Sequence, residues 1–271
     1  WNTFRNWINK NVMKRNLTVV KIGGNVINDP HKLELFLKDF SDMEGMKILV
    51  HGGGKRATEL TADLGLKTKM IGGRRVTDAK GLEIVTMVYA GLLNKNIVAK
   101  LQATDCNAIG LSGADANLIR AHKRKVKDVD YGFAGDVDAI ADRTLSLFLN
   151  QGVVPVFSAI THDKKGQLLN TNADTIASEI AKGLAADFEV ELIYCFEKKG
   201  VLKEIEDQNS VIEKIDESYY SKLKADQVIV QGMLPKLDNC FDALQNGVQK
   251  VLIGLPELIG DRNIKHTRLI L

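Results

Sequence analysis

Five short runs of β-branched and aliphatic residues recur along the chain: LTVVKI (17–22), MKILV (46–50), VVPVF (153–157), VELIY (190–194) and KVLIG (250–254). Near-continuous apolar runs of this length are strands buried on both faces, which is the habit of parallel sheets. Longer stretches with helical periodicity separate them, over 30–42, 56–64, 79–102, 174–184, 217–224 and 235–246. In the longest, Leu82, Val85, Val88, Leu92 and Leu93 share one side. A further strand, AIGLSG (108–113), ends in glycine, and residues 117–140 alternate like a β-hairpin. This alternation predicts an α/β protein with a largely parallel sheet and helices on both faces. In such sheets ligands gather at the carboxyl ends of the strands.

Several strand ends are glycine-rich, and the densest is VHGGGKRA (50–57). It is not a Walker A loop, which needs Gly, four residues and Gly-Lys-Ser/Thr; Arg56 follows Lys55 here. Gly52, Gly54 and Ala57 do satisfy a dinucleotide fingerprint. That motif also wants an acidic residue about 20 positions on, where the chain reads IGGRRVT. A plain strand-to-helix turn is a third reading, and the loop alone does not choose.

The 271 residues suit one large α/β domain or two modest lobes. A net charge of +3 gives no argument for a nucleic-acid partner. Cys106, Cys195 and Cys240 lie far apart without ligand spacing, which suits a reducing cytoplasm and no zinc. Consecutive apolar residues run far short of about 18, so no membrane span is expected, and the first residues lack the apolar core of a secretory signal. Residues 1–12 read either as an extension upstream of Met13 or as a short amphipathic helix using Trp1, Phe4, Trp7 and Ile8.

Four features at strand ends or helix starts form a group. Lys21-Ile22-Gly23-Gly24 ends the first strand and His51-Gly52-Gly53-Gly54 the second. Asn170-Thr171-Asn172-Ala173-Asp174 precedes one helix, and Gly232-Met233-Leu234-Pro235-Lys236 opens another. Glycine loops offer bare N–H groups to anions, and lysines offer point charges to phosphate oxygens. A lysine ending a buried strand, as Lys21 does, is hard to explain structurally. Lys236 alone would read as a surface lysine, Asp174 as an N-cap, and His51 as a turn or core histidine.

Taken in order, VVKIGGN, VHGGGK, GGRRVT, LSGAD, NTNAD and GMLPK resemble the acetylglutamate kinase branch of the amino acid kinase family, from Leu17 to Leu271. The resemblance implies an open three-layer α/β/α sandwich with a mainly parallel central sheet. It implies an extension over 1–16, an N-terminal lobe (17–188) for the acylated amino acid and for dimerisation, and a C-terminal lobe (189–271) for ATP. The implied reaction phosphorylates the γ-carboxylate of an N-acyl-L-glutamate, in arginine biosynthesis, with ATP and Mg2+ and no metal site of the protein's own.

Residue roles follow from the matching motifs. Lys21 and Lys236 are expected on the transferring phosphoryl group, with Asp174 holding both. Gly53, Gly54, Arg75, Asn170 and Asn172 are expected to bind the acylglutamate. Gly23, Gly24, Gly200, Val230, Gly232 and Lys236 are expected to bind the nucleotide. The chain departs from the family's Thr-Asp-Val-x-Gly segment with Phe196-Glu197-Lys198-Lys199-Gly200, where Glu197 could stand for the aspartate. Expected partners are small-molecule substrates and a second copy of the chain, an arginine-insensitive homodimer in the cytoplasm, with no nucleic acid and no membrane. Two other readings stay open: a larger acyl group such as succinyl, and an inactive binding protein of the same fold.

Overall fold

The computed structural model describes residues 14–271 apart from 73, 127, 205, 227 and 229–232. The expectations for residues 1–13, Val230 and Gly232 lie outside the described residues.

The first half alternates strands and helices as the runs predict. Strand β1 (Arg15–Ile22) leads through a one-turn helix α1 (Gly24–Ile27) to α2 (Pro30–Asp42) and β2 (Met46–His51). Helix α2 starts where its sequence says: the Asp29 carboxylate accepts from the N–H groups of His31 and Lys32, both at 3.1 Å, and Pro30 follows it. Helix α3 (Gly54–Asp63) and a small hairpin, β3 (Lys69–Ile71) and β4 (Arg74–Val76), come next. Then α4 (Ala79–Thr86), a π-helical stretch (Met87–Leu93) and α5 (Asn94–Gln102) run on as one 24-residue helix. By length and composition that helix would pass for a membrane span, which counting consecutive apolar residues did not foresee. Its inward side is core: Val85, Val88, Ile97 and Leu101 are fully buried.

The remaining elements are β5 (Ala108–Leu111), β6 (Ile119–Lys123), β7 (Ala134–Ile140), α6 (Asp142–Asn150), β8 (Val154–Ser158), β9 (Ile160–His162) and β10 (Leu168–Thr171). They are followed by α7 (Ala173–Leu184), β11 (Phe188–Cys195), β12 (Lys214–Ile215), α8 (Glu217–Ala225), α9 (Leu234–Gln245), β13 (Lys250–Gly254) and β14 (Thr267–Leu269). Eight strands make the central sheet in the order β12-β14-β13-β11-β1-β2-β8-β5, parallel throughout except at β13–β14. The expected 117–140 hairpin is present as β6–β7 and belongs to a small closed barrel with β9 and β10.

Strand parity divides the core by face. Leu17 and Val19 of β1 side with Ile48 and Val50 of β2 and with Val190, Leu192 and Tyr194 of β11 in one cluster. Val20, Ile22, Leu49, Ile193 and Cys195 belong to a second cluster on the other face. Helices cover both clusters, which makes the three layers. The two sequence lobes share this sheet through the β1–β11 ladder, where Lys21 stands beside Tyr194.

Parity also assigns the polar residues at the strand ends. Lys21 continues the Leu17–Val19 series, so it emerges on the face covered by α7. His51 continues the Leu49 series and emerges on the opposite face, where it is fully buried. Its Nδ1–H donates to the Gly52 carbonyl at 2.8 Å, and its Nε2 accepts from Asn94 Nδ2 at 3.0 Å. Burial pushes its pKa from 6.5 down to about 4, against the Gly52 hydrogen bond that raises it. His51 is therefore neutral at pH 7 and has no free ring nitrogen for proton transfer.

A pH dependence of stability follows. Below about pH 6.5 the unfolded chain protonates this histidine and the folded chain does not, so stability is whole above that pH and falls towards pH 4. The gap corresponds to about 3 kcal/mol. Urea titrations of wild type and His51→Gln at a series of pH values should show a steeper acid-side loss in wild type; parallel curves would contradict the buried neutral imidazole.

Candidate active site

Two clefts open at the carboxyl ends of the central strands, of about 480 Å³ and 610 Å³. Lys21, Gly23 and Gly24 line both, so the clefts meet at the end of β1.

The first cleft takes its floor from the Gly52–Gly54 loop and one wall from Asn170–Asp174. Gly53 has φ of 156° and caps α3. A Cβ there would strike Leu93 Cδ1 and come within 2.8 Å of Tyr89 Cδ1. Only glycine fits, for reasons of backbone and of space. The π-helical stretch supplies both Tyr89 and Leu93, consistent with the habit of such turns to occur at functional sites. Arg75, on β4, reaches over the loop: its Nη2 donates to the Gly54 carbonyl at 3.0 Å and to Thr58 Oγ1 at 2.6 Å, and its Nη1 to Thr68 Oγ1 at 3.0 Å. Arg74 also lines this cleft. Asn170 Nδ2 donates to Thr77 Oγ1 at 2.9 Å.

Asn172 caps α7, its side-chain oxygen accepting from the N–H groups of Asp174 at 2.7 Å and Thr175 at 3.3 Å. This corrects the reading of Asp174 as the cap. The carboxylate of Asp174 is free to face the sheet, where it lies 2.7 Å from Lys21 Nζ. Both residues are buried. Burial alone pushes the Asp174 carboxyl up, but the charges of Lys21 and then Lys236 outweigh it, and the group stays below the ordinary carboxylate value. Tyr194, stacked in the sheet beneath, donates its hydroxyl to the Asp174 carbonyl at 3.0 Å.

Lys236, in the first turn of α9, lines the second cleft with Lys21, Glu197, Lys198 and Met233. Burial lowers its pKa and Asp174 pulls it back up. The expected grip of Asp174 on both lysines is met in contact by Lys21 alone among the described residues; Lys236 feels the carboxylate at longer range. Its Nζ instead sits 4.1 Å from the centre of the Phe196 ring.

Gly200 lies apart from the residues lining either cleft. It is a close-packing glycine: a Cβ there would come within 2.6 Å of Thr267 Oγ1, and Thr267 accepts from the Val201 N–H at 2.8 Å. Packing against Thr267 by itself calls for glycine here, whatever the nucleotide touches. Residues to which sequence reasoning gave no role are Tyr89 and Phe196. Tyr89 sits in no glycine or charge motif, and Phe196 was named only as the first residue of the departing 196–200 segment; their signal was an aromatic side chain at the helical phase or strand parity of the site.

Comparison with known proteins places the fold in a known family. The amino acid kinase family model matches residues 16–254. An acetylglutamate kinase of Cytophaga hutchinsonii is 52% identical over 259 residues, 94% of this chain and 98% of that enzyme. One from Phocaeicola vulgatus is 54% identical over 249 residues, 92% of this chain and 97% of that enzyme. Among solved structures, smu.665 of Streptococcus mutans UA159 superposes with a TM-score of 0.73 at 27% identity, covering 94% of this chain and 98% of that one. The chain belongs to the amino acid kinase family.

Proposed function

We propose that this protein transfers the γ-phosphoryl group of ATP to the γ-carboxylate of N-acetyl-L-glutamate, giving an acyl phosphate and ADP, as a step of arginine biosynthesis. The observation that carries the reading is the pair of clefts meeting at Lys21, Gly23 and Gly24. A donor in one cleft and an acceptor in the other would react at their junction. The relatives' name, acetylglutamate kinase, supports the acceptor.

The chemistry asks little of the protein beyond position and charge. An ionised carboxylate is already a nucleophile, so no general base is needed, and His51 could not serve as one. Lys21 and Lys236 approach the junction from β1 and α9 and would meet the charge on the transferring oxygens. Asp174 would keep Lys21 aimed there. Arg75 would take a carboxylate of the amino acid in its planar fork, while the N–H groups at Gly53 and Gly54 would face the attacking γ-carboxylate. Asn170 and the amide nitrogen of Asn172 would fix the substrate near its α-carbon. Gly23 and Gly24 would bring bare backbone to the phosphates. Magnesium carried in with the nucleotide would supply further charge against the phosphates. Glu197, on the wall of the second cleft with Asp39 and Glu257, could help to hold it there.

The test is ADP release with ATP and a panel of N-acyl-L-glutamates. Turnover with N-acetyl-L-glutamate is expected. Turnover only with another acyl group would move the acceptor, and no turnover at all would leave an inactive binding protein. Arg75→Lys keeps charge but loses the fork. It should raise the KM for the acylglutamate by about tenfold or more, one charge-assisted hydrogen bond's worth, with the KM for ATP unchanged. A shift in the ATP KM instead would remove Arg75 from the amino acid site.

We further propose a homodimer in the cytoplasm, with residues 17–188 forming the acceptor and dimer lobe and 189–271 the ATP lobe. Met87 and Leu92 are 55% and 47% exposed on the π-helical stretch, five residues apart and so near one face of it. The described cysteines, Cys106, Cys195 and Cys240, are all buried free thiols, as suits a reducing compartment. Light scattering should give a dimer mass that Leu92→Glu reduces to a monomer; a monomeric wild type would contradict it.

A further inference from the structure

We propose that Phe196 is a positioning residue for phosphoryl transfer, its ring holding the ammonium groups of Lys21 and Lys236 together where the two clefts meet. The inference rests on the proposed kinase reaction and adds a residue to which none of the motifs assigned a role.

Parity places the ring. In β11, Val190, Leu192 and Tyr194 face the same cluster as Leu17 and Val19 of β1, and Phe196 is the next residue in that series, one step past the strand end. Lys21 is the next residue in the β1 series, and Lys21 and Tyr194 are register partners. The ring therefore arrives beside Lys21 through the sheet's own geometry. Its backbone is fixed by an N–H bond of 2.7 Å to the Gly254 carbonyl, and its ring stacks on Tyr194 with centroids 5.9 Å apart and planes 4° from parallel. On it rest two cations: Lys236 Nζ at 4.1 Å from the centroid and Lys21 Nζ at 5.4 Å. Both distances lie within cation–π range.

The site needs such a group. Two ammonium ions face one buried carboxylate, Asp174, and each lysine makes the other's charge costlier. Glu197 is exposed and relieves that repulsion only from the rim; a second buried carboxylate between the lysines would relieve it fully but would also repel the incoming triphosphate. An aromatic face offers negative potential with no net charge. It gathers the lysines in the free enzyme and gives them up to phosphate oxygens with little penalty. The groups whose charges bear on Lys236 are Asp174 on α7, Lys21 on β1 and Glu197 in the loop after β11; Cys240 on its own helix is a buried thiol whose pKa is pushed up, and it stays neutral. Phe196 stands among these charges without one of its own.

Phenylalanines bearing one, two and three ring fluorines at position 196 test this, because they weaken the ring's negative face while nearly keeping its shape. In the full-length chain, kcat with ATP and N-acetyl-L-glutamate should fall at each step, by roughly tenfold in all, with little change in either KM. In parallel, the Lys236 pKa, read by NMR of 13C-labelled lysine and assigned by its loss in Lys236→Arg, should fall in the same order. Phe196→Leu, which keeps apolar bulk and lacks the ring face, should match the trifluorinated ring. A flat series in both readouts would overturn the inference and leave Phe196 as packing alone. If wild type phosphorylates no acylglutamate, the proposed reaction fails, and the lysine pKa series still decides whether the ring holds the charges.

Discussion

Lys236→Ala should lower kcat by about 10²–10³, equivalent to roughly 3–4 kcal/mol, and change the KM values far less. The reason is that the charge it meets grows on the transferring oxygens only as the reaction proceeds. Lys21→Ala should behave alike, since its ammonium reaches the same junction from the other half of the sheet. Asp174→Asn should also cut kcat, through Lys21, with which it is in contact at 2.7 Å. Combining Lys21→Ala with Asp174→Asn should therefore be much less than additive. Lys236→Ala with Asp174→Asn should lie closer to additive, because the carboxylate does not touch Lys236. Steady-state kinetics on these variants checks each part. A Lys236→Ala enzyme with wild-type kcat would remove α9 from the chemistry.

The second large effect belongs to Gly53. Gly53→Ala forces a methyl against Leu93 and Tyr89 at a backbone angle that alanine avoids. The loop must shift, and displacement of a reacting group by about 1 Å costs about 10² in rate. Stability should fall too, by about 1–3 kcal/mol for the overpacking. Adding Leu93→Ala removes the nearest clash but leaves Tyr89 Cδ1 at 2.8 Å and does not relieve φ. The double variant should therefore recover part of the lost melting temperature and little of the lost kcat. Recovery of both together would mean that space, and not loop geometry, sets the rate.

These two sites differ in how far the sequence announces them. Lys21 is legible because a lysine at the end of LTVVKI has no structural excuse, and strand parity then tells which face it takes. Gly53 is legible as one of three glycines, but not as the one that needs to be glycine. That depends on Tyr89 and Leu93, brought over it by a π-helical stretch that periodicity of 3.6 cannot reveal. The Asn-x-Asn-x-Asp motif announces a helix start, yet two candidates two residues apart compete for the cap. Asn172 takes it because its side chain reaches the free N–H groups of Asp174 and Thr175, which leaves Asp174 for Lys21. Gly200 follows the family's glycine pattern in sequence, but its place is fixed by Thr267, a residue 67 positions on whose approach no local signal records. The β3–β4 hairpin, which carries Arg74 and Arg75 to the first cleft, is hidden for a similar reason. Its strands have three residues each and are too short to show alternation.

The central claim is that the clefts deliver a phosphoryl group to a carboxylate. Hydroxylamine traps an acyl phosphate as a hydroxamate, so the direct measurement is hydroxamate formed per ADP released with ATP and N-acetyl-L-glutamate. Wild type should give one γ-hydroxamate for each ADP, and Lys236→Ala should lose both products in proportion. ADP released without hydroxamate would mean that the phosphoryl group goes to water or to another acceptor, and would contradict the account.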